Sequence, residues 1–182
     1  LLGKYELSKK RWLSVVKGME VGSMSAISEV LSEELRISES SIAVLSGPDF
    51  AVEIAQNQPT LGIIGCISDH TASVFQKALA TRHFLIQVTD DVRGVEIGSI
   101  LKNVGAIAIG IIDGLNLGDN TRGLVFSRYL QEALEVGTRI FRAREGTLLG
   151  PAFLGDMIAT AFSLKSRNRI IGLLASKSIT EI

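Results

Sequence analysis

Short aliphatic runs alternate with polar, helix-like segments along the first half of the chain. Runs rich in Val, Ile and Leu predict four strands, at residues 12–16, 42–45, 61–67 and 84–88. Residues 24–35 and 70–80 instead place apolar side chains three or four positions apart, which predicts helices. Because strands that are apolar throughout are buried on both faces, this alternation predicts a parallel α/β sheet.

The pattern changes after Asp90 and Asp91. Four helical segments follow, at residues 92–112, 121–142, 152–164 and 167–176. The first is apolar nearly all round, which is typical of a helix surrounded by others, and its interspersed charges argue against a membrane span. The predicted fold class is α/β plus all-α, with the α/β part over residues 1–91 and the all-helical part over residues 92–182.

Composition narrows the possible functions. The 182 residues are 46% hydrophobic, enough for a buried core, and 19 basic residues balance 19 acidic ones. A chain without net charge attracts polyphosphate weakly, so we expect no nucleic-acid partner. The single cysteine, Cys66, excludes a disulfide framework, and neither His70 nor His83 has a ligand spacing, so we expect no metal site. Because no signal-peptide pattern is visible, we expect a cytoplasmic protein.

Lys102 lies on the helix that is apolar nearly all round. Its aliphatic neighbours would desolvate the ammonium and lower its pKa, and a lysine of that kind can act as a base. In the alternative, the side chain reaches the surface or pairs with Glu96.

Asp156 and Thr160 are four positions apart and therefore share one face of the third helical segment. They follow Gly155, which lets another group come close, so this face could meet Lys102. In the alternative, Asp156 caps the helix and Thr160 bonds back to it.

Ser166, Arg167 and Asn168 open the fourth helical segment. Free N–H groups, the helix dipole, a guanidinium and an amide could converge there on a phosphate. The alternative is an ordinary N-cap followed by solvated arginines. Lys17 ends the strand at 12–16, at the edge where such sheets face a ligand, although many lysines there are simply solvated.

Six blocks follow one another in a distinctive order and spacing. They are VKG at 16–18, LSGPDFA at 45–51, GVEIGSILKNV at 94–104, DGLNLGDNTR at 113–122, LGD at 154–156 and SRNR at 166–169. With them the chain resembles the NAD(P)-dependent glycerol-3-phosphate dehydrogenases of the bacterial type. The resemblance implies the second half of a Rossmann-like parallel sheet over residues 1–91, followed by a substrate-binding and catalytic helical domain, truncated at its end, over residues 92–182.

The resemblance also implies a reaction. The family interconverts dihydroxyacetone phosphate and sn-glycerol 3-phosphate with NAD or NADP, for glycerophospholipid synthesis, and we expect a homodimer without a membrane span. The 2-hydroxyacid and 6-phosphogluconate dehydrogenases share the two-domain plan but lack the SRNR match.

By the same resemblance, the site residues fall into three groups. The catalytic group is Lys102 as proton acceptor and donor, with Asn103, Asp156 and Thr160 orienting it and the substrate oxygen. The substrate-binding group is Lys17, Gly47, Asp49, Ser166, Arg167 and Asn168. The cofactor-binding group is Lys17, Ala51 and Arg167.

The chain departs from the family pattern in several places. No G-x-G-x-x-G occurs, so we expect that Leu1 falls midway through the dinucleotide-binding domain and that these residues alone are inactive. Asp49 replaces Ser or Thr, so its carboxylate would either point away or change substrate affinity, and the bulky Phe153 would narrow the pocket. In the alternative, the chain is a truncated, non-catalytic relative that binds a phosphorylated metabolite or a partner protein.

Overall fold

The structure, a computed structural model, describes residues 6–180. Its strands are β1 (Trp12–Ser14), β2 (Ile42–Ser46), β3 (Thr60–Gly65) and β4 (Phe84–Thr89). Its helices are α1 (Ile27–Leu35), α2 (Ala51–Ala55), α3 (Asp69–Leu79), α4 (Val92–Gly114), α5 (Gly118–Glu135), α6 (Glu145–Leu148), α7 (Asp156–Phe162) and α8 (Arg167–Thr180). The predicted change from mixed α/β structure to helices is confirmed.

The four strands form one sheet in the order β1-β2-β3-β4. The pairs β1–β2 and β3–β4 are parallel, but β2 and β3 are antiparallel, with Leu45 opposite Ile64. The prediction of an all-parallel sheet is therefore wrong for the central pair. A parallel crossover needs a connection that carries the chain back along the whole strand, usually a helix of several turns. Only the five-residue helix α2 lies between these strands, so the chain reverses direction instead.

The prediction that the strands are buried on both faces is wrong for β4. Phe84 and Ile86 are buried, and they pack with Phe75 and Leu79 of α3, whereas Leu85 is 60% exposed. The strand is at an edge of the sheet, and α3 covers only one of its faces. Alternating burial is the result expected for such a strand.

The turn after β2 requires a glycine. Gly47 has φ +140°, and a Cβ at this position would lie 2.6 Å from the carbonyl oxygen of Leu61. The turn is tied to the start of β3, because the Thr60 hydroxyl donates to the Pro48 carbonyl. It therefore fixes where the next residue, Asp49, lies at the end of β2.

Helix α4 is the centre of the helical part. Among residues 6–180, the single helix α4 is long and apolar enough to cross a membrane. However, 56% of its most apolar stretch is buried inside the fold. Its backbone touches that of α8: a Cβ on Gly110 would lie 2.1 Å from the Arg169 carbonyl oxygen, and one on Gly172 would lie 2.1 Å from that of Ile107. This close crossing determines where the first residues of α8 lie.

Candidate active site

Polar side chains from both parts of the fold meet at one edge of the sheet. Lys17 follows β1 and Asp49 follows β2, and since these strands are parallel, their carboxyl ends lie side by side. From the helical part come Lys102, in the middle of α4, and Asp156 and Thr160, on α7. These five residues are called the buried cluster below.

Lys102 is the most enclosed cation of the cluster. It is 7% exposed, and its Nζ donates to Asp156 Oδ1 at 3.0 Å and to Thr160 Oγ1 at 2.9 Å. Glu96 instead accepts from the backbone N–H and the hydroxyl of Ser28. The structure therefore places Lys102 against α7, and both alternatives, a surface lysine and a pair with Glu96, are wrong.

Asp156 joins the two lysines of the cluster. Its Oδ2 lies 3.2 Å from Lys17 Nζ, while its Oδ1 also accepts from the Thr160 hydroxyl at 3.1 Å. Lys17 Nζ lies 3.5 Å from Asp49 Oδ1, so the Asp49 carboxylate points into the site and not away from it. Two ammonium groups thus face two carboxylates, and this balance of charge offsets the desolvation of the two buried members, Lys102 and Asp156.

Burial and pairing shift the pKa values of the cluster in different directions. Burial lowers the pKa of Lys102, helped by the positive charge of Lys17 and opposed by Asp156. Burial also pulls down the pKa of Lys17, but Asp156 and Asp49 outweigh it and raise that pKa above its ordinary value. Burial raises the pKa of Asp49, against the attraction of Lys17. Lys102 is therefore the ammonium that releases its proton more easily, which suits acid–base chemistry.

A cleft of about 740 Å³ opens beside the cluster and reaches the start of α8. The residues that line it are Val15, Lys17, Phe50, Lys102, Asn103, Thr160, Lys165, Ser166, Arg167, Asn168 and Ile171. Residues 165–168 are called the α8-start segment below. The cleft therefore joins a buried proton donor to a cationic helix start.

The start of α8 combines both predicted possibilities. The buried Ser166 is an N-cap, since its Oγ accepts from the backbone N–H of Arg169 at 3.2 Å. Arg169 is not solvated, because its guanidinium donates to Asp113 Oδ2 at 2.8 Å. Arg167 is exposed in the cleft and makes no hydrogen bond or ion pair with residues 6–180. Asn168 Nδ2 donates to Asn103 Oδ1 at 2.6 Å.

Of the remaining predicted site residues, Asn103 lines the cleft, whereas Gly47 and Ala51 do not. Asn103 contacts Asn168 and the Ser99 carbonyl, so it connects α4 to α8. Gly47 shapes the turn that carries Asp49, and the exposed Ala51 begins α2 but does not line the cleft.

Phe153 is part of the core. It is fully buried in an apolar cluster with Leu148 and Met157, and it is not among the residues that line the cleft. The prediction that its ring narrows the pocket is therefore wrong. The ring fills the space between α4 and the chain before α7, where Gly98 leaves room for its Cβ.

Sequence reasoning missed Lys165 and Phe50 as cleft residues. Lys165 directly precedes the predicted N-cap Ser166, so a cation next to an anion-binding helix start was the available signal. Phe50 carried no such signal, because an aromatic residue before a short helix is more often a core residue.

Comparison with protein families supports the assignment suggested by this geometry. The family model described as the C-terminus of NAD-dependent glycerol-3-phosphate dehydrogenase matches residues 91–182. The model described as the N-terminus of the same family matches residues 3–72.

Curated relatives carry the same description. A glycerol-3-phosphate dehydrogenase [NAD(P)+] of Thermobifida fusca is 41% identical over 160 residues, which are 88% of this chain and 47% of the relative. One of Rhodospirillum rubrum is 43% identical over 164 residues, which are 90% of this chain and 46% of the relative. The chain thus spans about half the length of the curated relatives that it matches.

Solved structures show the same fold. Glycerol-3-phosphate dehydrogenase from Coxiella burnetii matches with a TM-score of 0.84 and 34% identity, over 94% of this chain and 53% of that one. The structure of DsGPDH of Dunaliella salina matches with a TM-score of 0.85 and 27% identity, over 94% of this chain and 32% of that one. The order of elements, the cleft and these matches agree, and the chain belongs to the NAD-dependent glycerol-3-phosphate dehydrogenase family.

Proposed function

We propose that the gene product carrying this sequence interconverts dihydroxyacetone phosphate and sn-glycerol 3-phosphate with NAD or NADP. One observation carries the proposal. A buried lysine, Lys102, is held by Asp156 and Thr160 in a cleft that the exposed Arg167 also lines. A ketone that becomes an alcohol needs a proton donor, and a phosphate needs a cationic anchor at a fixed distance from it.

Lys102 serves as the proton donor and acceptor in this proposal. The nicotinamide ring, when bound, supplies the hydride that the carbonyl carbon takes up. The protonated Nζ of Lys102 gives its proton to the substrate oxygen as negative charge develops there, and takes it back in the reverse direction. Asp156 and Thr160 hold the Nζ in place, and Asn103 helps to orient the substrate oxygen.

In this proposal, the α8-start segment binds the phosphate of the substrate. Ser166 caps α8, so backbone N–H groups at the helix start are available to an anion, and Arg167 adds a guanidinium that no described carboxylate occupies. Asn168 is fixed by Asn103, which keeps the segment in register with α4. Lys17 and the turn at Gly47 complete the proposed substrate site.

The residues present fit the nicotinamide end of a dinucleotide. Val15, Phe50 and Ile171 give the cleft apolar walls against which a ring can lie, beside Lys17, Arg167 and, nearby on α2, Ala51. The chain contains no G-x-G-x-x-G turn to hold a pyrophosphate. We assign that cradle to the part of the relatives that this chain does not span, and we expect residues 1–182 alone to lack turnover.

The remaining expectations belong to the same proposal. We place the boundary between the two domains at residue 91, where the helical family model begins. The partners are a phosphorylated small molecule and a second copy of the chain, and the setting is glycerophospholipid synthesis in the cytoplasm. Neutral net charge argues against nucleic acid.

The test is oxidation of NADH or NADPH by the natural gene product, followed with and without dihydroxyacetone phosphate. We expect oxidation only with the substrate present, and Lys102→Ala is expected to lower kcat about a thousandfold. The variant should keep the thermal stabilisation that sn-glycerol 3-phosphate gives the native protein. Unchanged turnover in Lys102→Ala would overturn the assignment of the proton donor. Ligand stabilisation without any turnover in the native protein would favour a non-catalytic relative.

A further inference from the structure

Four cationic side chains line the cleft, and their surroundings differ. They are Lys17, Lys102, Lys165 and Arg167. Lys17 and Lys102 both contact the buried carboxylate of Asp156, at 3.2 Å and 3.0 Å. Moving either ammonium away would leave that carboxylate with less compensation in a poorly solvated place. These two cations can line the substrate site, but they are not free to move out of the buried cluster towards a phosphate.

The charge of a phosphate monoester calls for more than one mobile cation. Such a group carries about −1.5 to −2 charges at neutral pH. Arg167, which has no partner among the described residues, supplies one positive charge. Arg169 is occupied, since its NH2 lies 2.6 Å from Asp113 Oδ2. Among the cations that line the cleft in the described part of the chain, this leaves Lys165 as the second.

Lys165 combines a fixed backbone with a loosely held side chain. Its backbone N–H donates to the Ser163 hydroxyl at 3.1 Å, and the N–H of Ser166 donates to the Ser163 carbonyl at 3.3 Å. Its Nζ lies 3.5 Å from Glu53 Oε1, and the two side chains are 59% and 44% exposed. An exposed ion pair at this distance is weak, so a doubly charged anion can compete for the ammonium.

Glu53 and Lys165 belong to different parts of the fold. It lies on α2, in the α/β part, whereas Lys165 precedes α8 in the helical part, so their ion pair joins the two parts beside the cleft. Before an anion binds, the Glu53 carboxylate holds the Lys165 ammonium beside the cleft. A four-carbon stem allows the ammonium to move from one acceptor to the other.

We infer that Lys165 is a second phosphate-binding side chain, paired with Glu53 in the free protein and transferred to the substrate phosphate when substrate binds. The inference rests on the proposed function, because it takes a phosphate monoester as the substrate. It adds a specificity-determining residue to Arg167 and gives Glu53 the role of a positioning residue.

The experiment measures kcat and KM for dihydroxyacetone phosphate in the natural gene product at saturating NADH or NADPH. Lys165→Ala is expected to raise KM about tenfold and to leave kcat within about twofold of native, since a charge-assisted contact to phosphate is lost. Lys165→Arg keeps the charge and should hold KM within about threefold of native. Lys9→Ala, which removes an exposed lysine paired with Glu6, is the matched control and should change neither constant.

Glu53→Gln separates an exchange from simple attraction. It should lower KM about twofold in the native background, because the ammonium is no longer held, and should have no effect in Lys165→Ala. Equal effects in both backgrounds would mean that Glu53 repels the phosphate directly, which overturns the exchange. A KM for Lys165→Ala that equals the native value would overturn the assignment of Lys165.

A native protein without any turnover of dihydroxyacetone phosphate would overturn the proposed function and not this inference. The phosphate site is then tested with inorganic phosphate, by the rise in Tm that it gives the native protein and Lys165→Ala. A smaller rise in the variant supports the phosphate-binding role of Lys165, and equal rises overturn it.

Discussion

The buried cluster and the α8-start segment both contain cationic side chains, but in opposite surroundings. In the cluster, Lys102 is 7% exposed and donates to both Asp156 and Thr160. In the segment, Arg167 is exposed without a described partner, and the Lys165 side chain is 59% exposed. Both regions face one cleft. The cations of the two regions therefore differ in burial and in pairing.

This difference separates two chemical tasks. Burial lowers the pKa of Lys102 and fixes its position, which are the properties that a proton donor needs. Exposed, loosely paired cations keep the freedom to rearrange around an anion, which is the property that a binding site needs. Under the proposed function, substitutions of Lys102, Asp156 and Thr160 should therefore change kcat, while substitutions in the α8-start segment should change KM.

The largest effect in this comparison is expected from Asp156→Asn. The change removes the charge that both lysines share, and we expect kcat to fall about a hundredfold or more. Because attraction to Asp156 opposes the effect of burial on Lys102, its loss lowers the pKa of Lys102 further. Reduction of dihydroxyacetone phosphate needs the protonated lysine, so its rate should decline at a lower pH than in the native protein. The pH dependence of kcat in the reductive direction measures this shift.

The control for that variant is Asp119→Asn. It removes a carboxylate that is 92% exposed, and it should leave kcat and its pH dependence unchanged. A loss of kcat in Asp156→Asn without a shift of the pH profile would contradict an electrostatic role for Asp156.

Arg167→Ala should give the next largest effect, which we expect on KM and not on kcat. We expect KM for dihydroxyacetone phosphate to rise about thirtyfold, because a guanidinium contact to phosphate is lost, with kcat changed less than about threefold. Steady-state kinetics measures both constants. Arg139→Ala removes an arginine that is 77% exposed and pairs with Glu135, and it is the matched control. If Arg167→Ala lowered kcat by the same factor by which it raises KM, the two regions would not differ in the kinetic constant that they control.

The smallest effect in this comparison is expected from Asp49→Ser, which changes a half-buried residue of the buried cluster. Asp49 brings a second carboxylate towards the cleft, and it faces Lys17 at 3.5 Å. Its removal should lower KM for the phosphorylated substrate about threefold, since a like charge is removed. Asp49→Asn, which keeps the shape, should behave in the same way. A higher KM in both variants would show that Asp49 chiefly positions Lys17.

Part of this site could be predicted from local pattern. The spacing of Asp156 and Thr160 places both on one helix face, and the apolar surroundings of Lys102 indicate its burial. Lys17 at a strand end and Arg167 at a helix start were candidates from their positions, and the family resemblance gave them roles. These features depend on a few neighbouring residues, so they can be recognised without the fold.

Other features depend on contacts between distant segments. The antiparallel pairing of β2 and β3 follows from the short connection through α2, and the burial of Phe153 follows from the space that Gly98 leaves. Neither a strand's direction nor a side chain's depth in the core is visible in a hydrophobic run alone. Three wrong predictions, a fully parallel sheet, a β4 buried on both faces and a pocket narrowed by Phe153, have this common cause.

The sequence by itself determined the four strands, the longer helices and the kinds of charge present, because periodicity and composition are local properties. It did not predict the short helix α6. Only the tertiary structure decided which charges meet. Lys17 reaches Asp156 across 139 positions and Lys165 reaches Glu53 across 112, while Arg169 is paired with Asp113. Coulomb attraction and hydrogen bonding act over a few ångströms, and the packing of α4, α7 and α8 sets those distances.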